Sequence, residues 1–551
     1  MNLPEPQSLI FTSLMSDIEK GIIKIPQFQR DFVWSKDKSA KLLDSIVKGY
    51  PIGTFIFWKT KEELRALRNL GGLDLPDTPE GDYVQYVLDG QQRLTTLFAS
   101  IKGLKIYRED HEDDYSEFFL DLESNEDESI VLTARDENNH HHVIKLHDLL
   151  YGKLKDLTAY PETCQDKIQK FKDRINAYQF SSVLIKEASI DVATEIFTRL
   201  NVSGKPLSVF EIMVAKTFDS IQDFDLAEKY DELISELKDV DYGTIPDSVV
   251  LQTVSILLIK ECRKKEILRL PRNKVIDIWP DAMDAIKSAV DFFRNTFRIP
   301  VSRLLPYPNL IVPFAYYFYK TKRKPIGQAL NYMQDFFWRV SLGGRYSQSV
   351  DTRLSQDILK MDAIIQGELP KYDWAVDTSD DFINENGWFS VGRSYIKALL
   401  CILAFHEPKS FIDNSVVRLS NDWLKQANSR NFHHFFPISF MEKKGEEYRF
   451  INHIANITIV DDYLNKREIR AQAPSKYIKK FSKQNKNLDI CMKTHLINIE
   501  KYNIYNDDYD SFFFGRCKAF SLELKKRIIE QDIDSKQPAL SASETQEIES
   551  E

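Results

Sequence analysis

Hydrophobic periodicity changes near residue 208, and this change constrains the fold more than any other feature of the chain. Upstream, short apolar and aromatic runs alternate with turn residues. Ile52 to Lys59 (IGTFIFWK) reads as a strand, and Tyr83 to Leu88 (YVQYVL) alternates before a sharp turn at Asp89-Gly90. Downstream, Ser208 and Glu211 have the spacing of a capping box. From there to about residue 425 apolar residues recur with helical period, as in FDLAEKYDELISEL and VVLQTVSILLIKECRKK. The expected fold class is therefore α+β, with a mixed front part over residues 1–220 and an all-helical middle over 221–425. A chain of 551 residues has room for two to four domains, each with a real core.

Within the front part, residues 109–128 carry eleven acids and no Lys or Arg, which predicts a solvated loop or edge. The runs SIVLTA and HVIKL flank RDENNHH and predict a hairpin, with His140, His141 and His142 at its turn. Consecutive strand residues point to alternate faces, so these three are not expected to converge on a metal. Val192 to Leu200 has a helical pattern that Gly204 closes. In the middle, Phe292, Phe293, Tyr316, Tyr317, Phe318, Phe336, Phe337 and Trp338 read as core packing rather than a base-stacking platform. Residues 536–551 are polar and acidic without an apolar face, which predicts a disordered tail.

Composition narrows the class. Hydrophobic residues at 43% and charged residues at 28% are those of a soluble globular chain, and no run of about 18 apolar residues predicts a membrane span. The start lacks a basic leader, so a cytoplasmic protein is expected. Five scattered cysteines without a CxxC pair suggest buried thiols, not disulfides or zinc. Net charge is −9, yet residues 465–486 hold eight basic residues against Glu468, a local +7. On charge alone that segment is a solvated helix face; it also has the surplus needed to neutralise phosphates.

Two front segments carry chemistry: IPQFQRDFVW, Ile25 to Trp34, and VLDGQQRLTTL, Val87 to Leu97. In the second, a strand ends, Asp89-Gly90 turns, and a helix begins near Gln91 and stops before Gly103. Such a helix start presents backbone N–H groups to an anion. Arg93 adds a planar cation, Gln91 and Gln92 offer amides to a ribose or base, and Asp89 is placed to hold a metal or to orient Arg30. Ordinary strand-turn-helix packing with Asp89 as cap is the competing reading. The common P-loop pattern is absent.

These segments resemble the amino-terminal domain of the GmrSD-type, modification-dependent restriction endonucleases, marked by IPxxQRxxxW and DGQQR. FTRLNVSGKPLSVFEIMVAK, Phe197 to Lys216, resembles that family's third block. The resemblance implies a ParB/sulfiredoxin-like α+β domain that binds and hydrolyses a nucleoside triphosphate. It carries Asp89, Gly90, Gln91, Gln92 and Arg93 over as nucleotide-site residues, with Gln29 and Arg30 as neighbours.

Near the rear, NFHHFFP (residues 431–437) is followed by INHIANITIV and then by DDYLNKREIRAQ, a pattern of two strands and a helix. Phosphodiester hydrolysis needs a base for water and a cation against the growing charge. The arrangement resembles the HNH, or ββα-metal, nuclease motif of the same family and implies a nuclease domain over residues 426–535. By that resemblance His434 is the general base, Pro437 the following proline, Asn456 the asparagine that braces the base loop, and Asn465 a helical metal ligand. His433 stands where the family has an acid and is expected to coordinate Mg²⁺ or Mn²⁺ with Asn465. Glu468 replaces a common lysine, leaving Lys466, Arg467 and Arg470, with Lys479, Lys480 and Lys483, to follow the DNA backbone.

The implied function is an NTP-regulated, metal-dependent DNA endonuclease of phage defence that recognises modified DNA, with homo-oligomerisation left open. The alternative is an NTP-dependent DNA-binding sensor whose HNH-like domain has lost cleavage; His433 and Glu468 favour it.

Overall fold

The computed structural model describes residues 4–26, 32–61, 64, 69–70, 73–74, 76, 78, 81–107, 112–125, 127–135, 142–200, 208–219, 221–421, 424, 432–461 and 464–535, with only the backbone described at 69–70, 73–74, 107, 190–191, 198 and 465–467. Gln29, Arg30, His140, His141, residues 201–207 of the third block and the 536–551 tail lie outside these. The chain divides into two compact units, residues 1–226 and 227–551. The expected boundary between 425 and 426 falls inside the second unit, where the helical and rear segments share a core.

The first unit is built on a five-stranded mixed sheet in the order β1 (Glu5–Ile10), β8 (Gln179–Lys186), β3 (Phe55–Thr60), β4 (Val84–Asp89) and β2 (Ile23–Lys24). β8 is the last of these in sequence yet sits between β1 and β3, antiparallel to the first and parallel to the second. Phe55, Phe57 and Trp58 are all buried, the reason an aromatic run this dense forms a central strand. Helix α1 (Lys36–Lys48) is capped by Ser35 and stopped by Gly49, and it buries Leu42, Leu43, Ile46 and Val47. Helix α2 (Gln91–Lys102) sets Leu97 and Ile101 in the same core.

Two expectations for the front part change. The acidic stretch is not merely solvated. It carries strand β5 (Phe119–Asp121), and Tyr115, Phe118, Leu120 and Leu122 are buried between its carboxylates. Nor do SIVLTA and HVIKL form a hairpin with each other. β6 (Val131–Leu132) and β7 (Val143–Lys145) each pair with β5, which lies between them. Leu120, buried at the centre, gives that strand the apolar contact a two-stranded ribbon would have lacked.

In the second unit helices dominate up to residue 405, and Ser208 and Glu211, late in the first unit, form the reciprocal capping box expected of them. The aromatic series is core: Phe293 lies 4.7 Å from Phe314, and Phe297 lies 4.7 Å from Phe337. Beyond the helices come β9 (His433–His434) and β10 (Ile457–Thr458), an antiparallel pair, and one turn of π-helix over Leu464–Ile469 in the segment where a helix was expected. Helix α3 (Pro474–Gln484) and helix α4 (Tyr509–Lys525) pack behind the strands. Phe512 of α4 stacks on Phe435 at 4.8 Å, and buried Arg516 donates to Ala455 O and Ile457 O, both at 2.7 Å. No helix among the described residues is long and apolar enough to cross a membrane.

Candidate functional site

In the first unit, β3 and β4 pair with a one-residue slip between Ile56 and Phe57, opposite the end of β4, where Asp89 leaves the sheet. Gly90 follows at φ +99°, in the left-handed region that suits glycine. A Cβ there would lie 2.4 Å from Phe55 Cδ1, so the turn also needs the missing side chain to sit on that ring. α2 starts without a capping side chain, and Leu94 N–H is bonded to Gly90 O at 2.9 Å. The helix start therefore follows directly on the end of β4, with its dipole toward Asp89-Gly90.

The two front motifs meet here. Gln92 Oε1 accepts the backbone N–H groups of Val33 at 2.9 Å and Trp34 at 3.3 Å, so the carboxamide holds the end of the IPQFQRDFVW segment against the DGQQR turn. Arg93 is pinned. It donates to Ile52 O at 2.9 Å, Thr54 O at 3.0 Å and Asp89 Oδ2 at 2.9 Å, with its guanidinium over the Phe55 ring at 5.1 Å. Asp89 is thus paired with Arg93, which shapes the turn; Arg30, named with a metal as its other expected partner, lies outside the described residues. Gln91 is buried.

In the rear, the short β9–β10 pairing puts the two histidines on opposite faces, as alternation requires. His434 is half-buried and its Nε2 lies 3.1 Å from Asn452 Oδ1; burial pushes its pKa below the ordinary value, so the ring is neutral at neutral pH. Asn456 is fully buried. Its Oδ1 accepts from Phe436 N at 2.8 Å, and its Nδ2 donates to Phe436 O at 2.9 Å and Ile451 O at 3.0 Å. The loop that follows the candidate base is clamped by this one amide. Asn452, which sequence reasoning passed over, stands four residues before Asn456 in INHIANITIV, and that second asparagine was the available signal.

His433 departs from its expected role. Its ring is 2% exposed and faces Phe411, Phe435 and Tyr477, with Nδ1 on Thr458 Oγ1 at 2.7 Å. Burial pushes its pKa down to about 3, and among the described residues Nε2 has no hydrogen-bond partner. Mg²⁺ and Mn²⁺ take oxygen ligands and keep several waters, which a nitrogen sealed among rings does not provide. No group of three or more metal-ligating acids, histidines or cysteines occurs among the described residues, and the Asn465 side chain lies outside them. The buried His433 ring does not suit a hard, hydrated divalent ion, and the structure does not describe the Asn465 side chain that was expected to join it. His433 fits the core instead.

Helix α3 presents Lys476, Lys479, Lys480 and Lys483 outward and buries Tyr477, Ile478 and Phe481. Tyr477 O–H donates to Phe435 O at 2.5 Å, which fixes the basic face relative to the His434 strand. Lys480 is paired with Glu468 at 2.5 Å, so the acid at the departure from the family pattern engages one of the expected phosphate ligands. Arg470 is exposed at φ +53° just past the π-turn, and the side chains of Lys466 and Arg467 lie outside the described residues.

Comparison with known proteins locates the front unit. Residues 11–218 match the family model described as the N-terminal domain of GmrSD restriction endonuclease. An uncharacterized protein of Methanocaldococcus jannaschii is 23% identical, over 94% of this chain and 97% of its own length. The family match supports a restriction-endonuclease-related role with DNA as the substrate it implies.

Proposed function

We propose that this chain is a nucleotide-responsive DNA endonuclease of restriction type, acting in phage defence and reading modified DNA. The front unit binds a nucleoside triphosphate where α2 begins. The helix dipole and the backbone of the Gly90 turn face the phosphates, and Gln92 keeps Trp34 beside them. In the rear unit His434 takes a proton from water, and the resulting hydroxide attacks phosphorus. A new P–O bond forms as the bond to the leaving sugar oxygen breaks, and that oxygen then takes up a proton from solvent. The observation that carries this reading is the neutral, half-buried His434 on a strand whose following loop is clamped by Asn456. A base must be unprotonated to act, and burial keeps this one so. The exposed lysines of α3 supply the positive charge that would hold a DNA backbone.

A second reading has its own support. His433 lies in the core and Lys480 is engaged by Glu468, which suits a nucleotide-dependent DNA-binding sensor that grips the backbone without cutting. Purified full-length chain, offered plain and base-modified DNAs with and without each nucleoside triphosphate and with Mg²⁺, Mn²⁺ or EDTA, separates the two. Cleavage that disappears in His434→Ala supports the nuclease. Binding without nicking on every substrate supports the sensor, and cleavage unchanged in His434→Ala removes His434 from its role.

A further inference from the structure

Asn452 is held from two sides. Its Nδ2 donates to Phe389 O at 3.2 Å, and its own backbone O accepts from Phe389 N at 3.0 Å. Ile454 N–H donates to Gly387 O at 2.8 Å, and Trp388 bridges to His453. Residues Gly387 to Phe389, which follow the short helix Asp380–Asn386, thus run antiparallel to Asn452–Ile454 as a small concealed ribbon. The approach is close: a Cβ on Gly387 would lie 2.2 Å from His453 Nε2, so glycine is required there by contact. The Phe389 ring packs edge-on against Phe432 at 4.7 Å, one residue before the two histidines.

A carbonyl oxygen only accepts, so the Asn452 atom facing Phe389 O is the NH₂, and the atom facing His434 is the amide oxygen. An amide oxygen also only accepts. Nε2 of His434 must therefore carry the proton, and Nδ1 is left with the lone pair; among the described residues Nδ1 has no hydrogen-bond partner. We propose that Asn452 is a positioning residue that selects this tautomer of His434, and that the helical body holds Asn452 in register through Phe389. The proposal rests on the reading of His434 as the base. It adds that the base acts through Nδ1, and that residues far from the strand pair in sequence set which nitrogen is available. An imidazole in the wrong tautomer presents N–H to water and removes no proton.

The test uses full-length protein with ¹⁵N-labelled histidine and reads the long-range ¹⁵N–¹H pattern of His434 at neutral pH, assigned by its loss in His434→Ala. The expected wild-type pattern is the Nε2–H tautomer; an Nδ1–H pattern overturns the proposal whether or not the protein cuts DNA. Asn452→Leu removes the acceptor. It is expected to mix the tautomers and lower kcat at least tenfold with little change in KM for DNA. Asn452→Asp keeps an acceptor on Nε2 and adds a negative charge, so the lower limb of the pH–rate profile should move up by about one unit with cleavage retained. If Asn452→Leu does not fold, the wild-type pattern and the Asp profile still decide. Unchanged tautomer and unchanged profile in the variants sink the positioning role while leaving the nuclease reading standing. A wild-type chain that cuts nothing sinks the nuclease reading while the tautomer is still measured.

Discussion

Asn456 and Phe436 exchange two hydrogen bonds, Phe436 N–H to Asn456 Oδ1 at 2.8 Å and Asn456 Nδ2 to Phe436 O at 2.9 Å, so a side-chain amide pairs with a backbone amide as a neighbouring strand would. The same Nδ2 also donates to Ile451 O. Asn456→Ala removes the partner that this side chain supplies to three backbone groups, Phe436 N–H, Phe436 O and Ile451 O. Each orphaned group costs roughly 1–3 kcal/mol, and partial relaxation puts the expected loss at about 3–5 kcal/mol. Urea unfolding of the second unit's transition reads it directly. A shift under about 1 kcal/mol would mean the loop holds its shape without the clamp.

Three buried imidazoles and the half-buried His434 make the second unit acid-sensitive. Desolvation holds His433 at about 3 and His453 and His495 at about 4, and pushes His434 down as well. The sign follows from linkage. Above the ordinary histidine value these rings are neutral in both states and stability is full. As pH falls below it, the unfolded chain takes up protons that the folded rings refuse, so stability is lost until the folded values are reached. The three with the deepest shifts together predict a slope of about 4 kcal/mol per pH unit between roughly pH 6 and pH 5. His495→Gln, which keeps a donor for Lys409 O, should lower that slope by about a third. Equal unfolding midpoints at pH 7.5 and pH 5.5 would contradict this account.

Local signals were legible in the sequence, and long-range ones were not. The turn at Asp89-Gly90, the α2 limits, the Ser208–Glu211 box and the buried aromatics of the helical part follow from residue type and spacing, because each is decided within a few residues. That β5 separates β6 from β7 was hidden, since which of several short strands pair depends on a core the sequence does not display. Likewise, alternation said that His433 and His434 face apart but not which one faces the core. Phe411 and Tyr477, distant in sequence, settle it by enclosing His433. The eleven acids of residues 109–128 masked Tyr115 and Phe118, because average polarity hides a buried minority.

Arg93 is a support for the Asp89-Gly90 turn, so its replacement by lysine should cost structure before it costs charge. A single ammonium cannot bridge Ile52 O, Thr54 O and Asp89 as the guanidinium does. Arg93→Lys is expected to lose about 1–3 kcal/mol, and the variant should gain less thermal stability than wild type on adding a nucleoside triphosphate. Gly90→Ala places a methyl group on the Phe55 ring at a positive φ and should lower Tm as well. Should Arg93→Lys keep the wild-type Tm yet lose nucleotide-dependent stabilisation, Arg93 would instead be a direct phosphate ligand.

The basic face of α3 can be tested by salt dependence, because each phosphate contact contributes a slope of about 0.9 to log K against log salt on duplex DNA. Lys479 and Lys483 are exposed, whereas Lys480 is shared with Glu468. The double substitution Lys479→Glu, Lys483→Glu should weaken DNA binding across sequences and flatten the slope by about 2. Glu468→Ala should do the reverse, releasing Lys480 to the backbone and steepening the slope by about 1, with tighter binding at low salt. This opposite pair of effects distinguishes a backbone-tracking helix from a solvated one, on which neither change would move the slope. If only Glu468→Ala acts, Lys480 would be the single contact, and the DNA path would lie on the π-turn side of the helix.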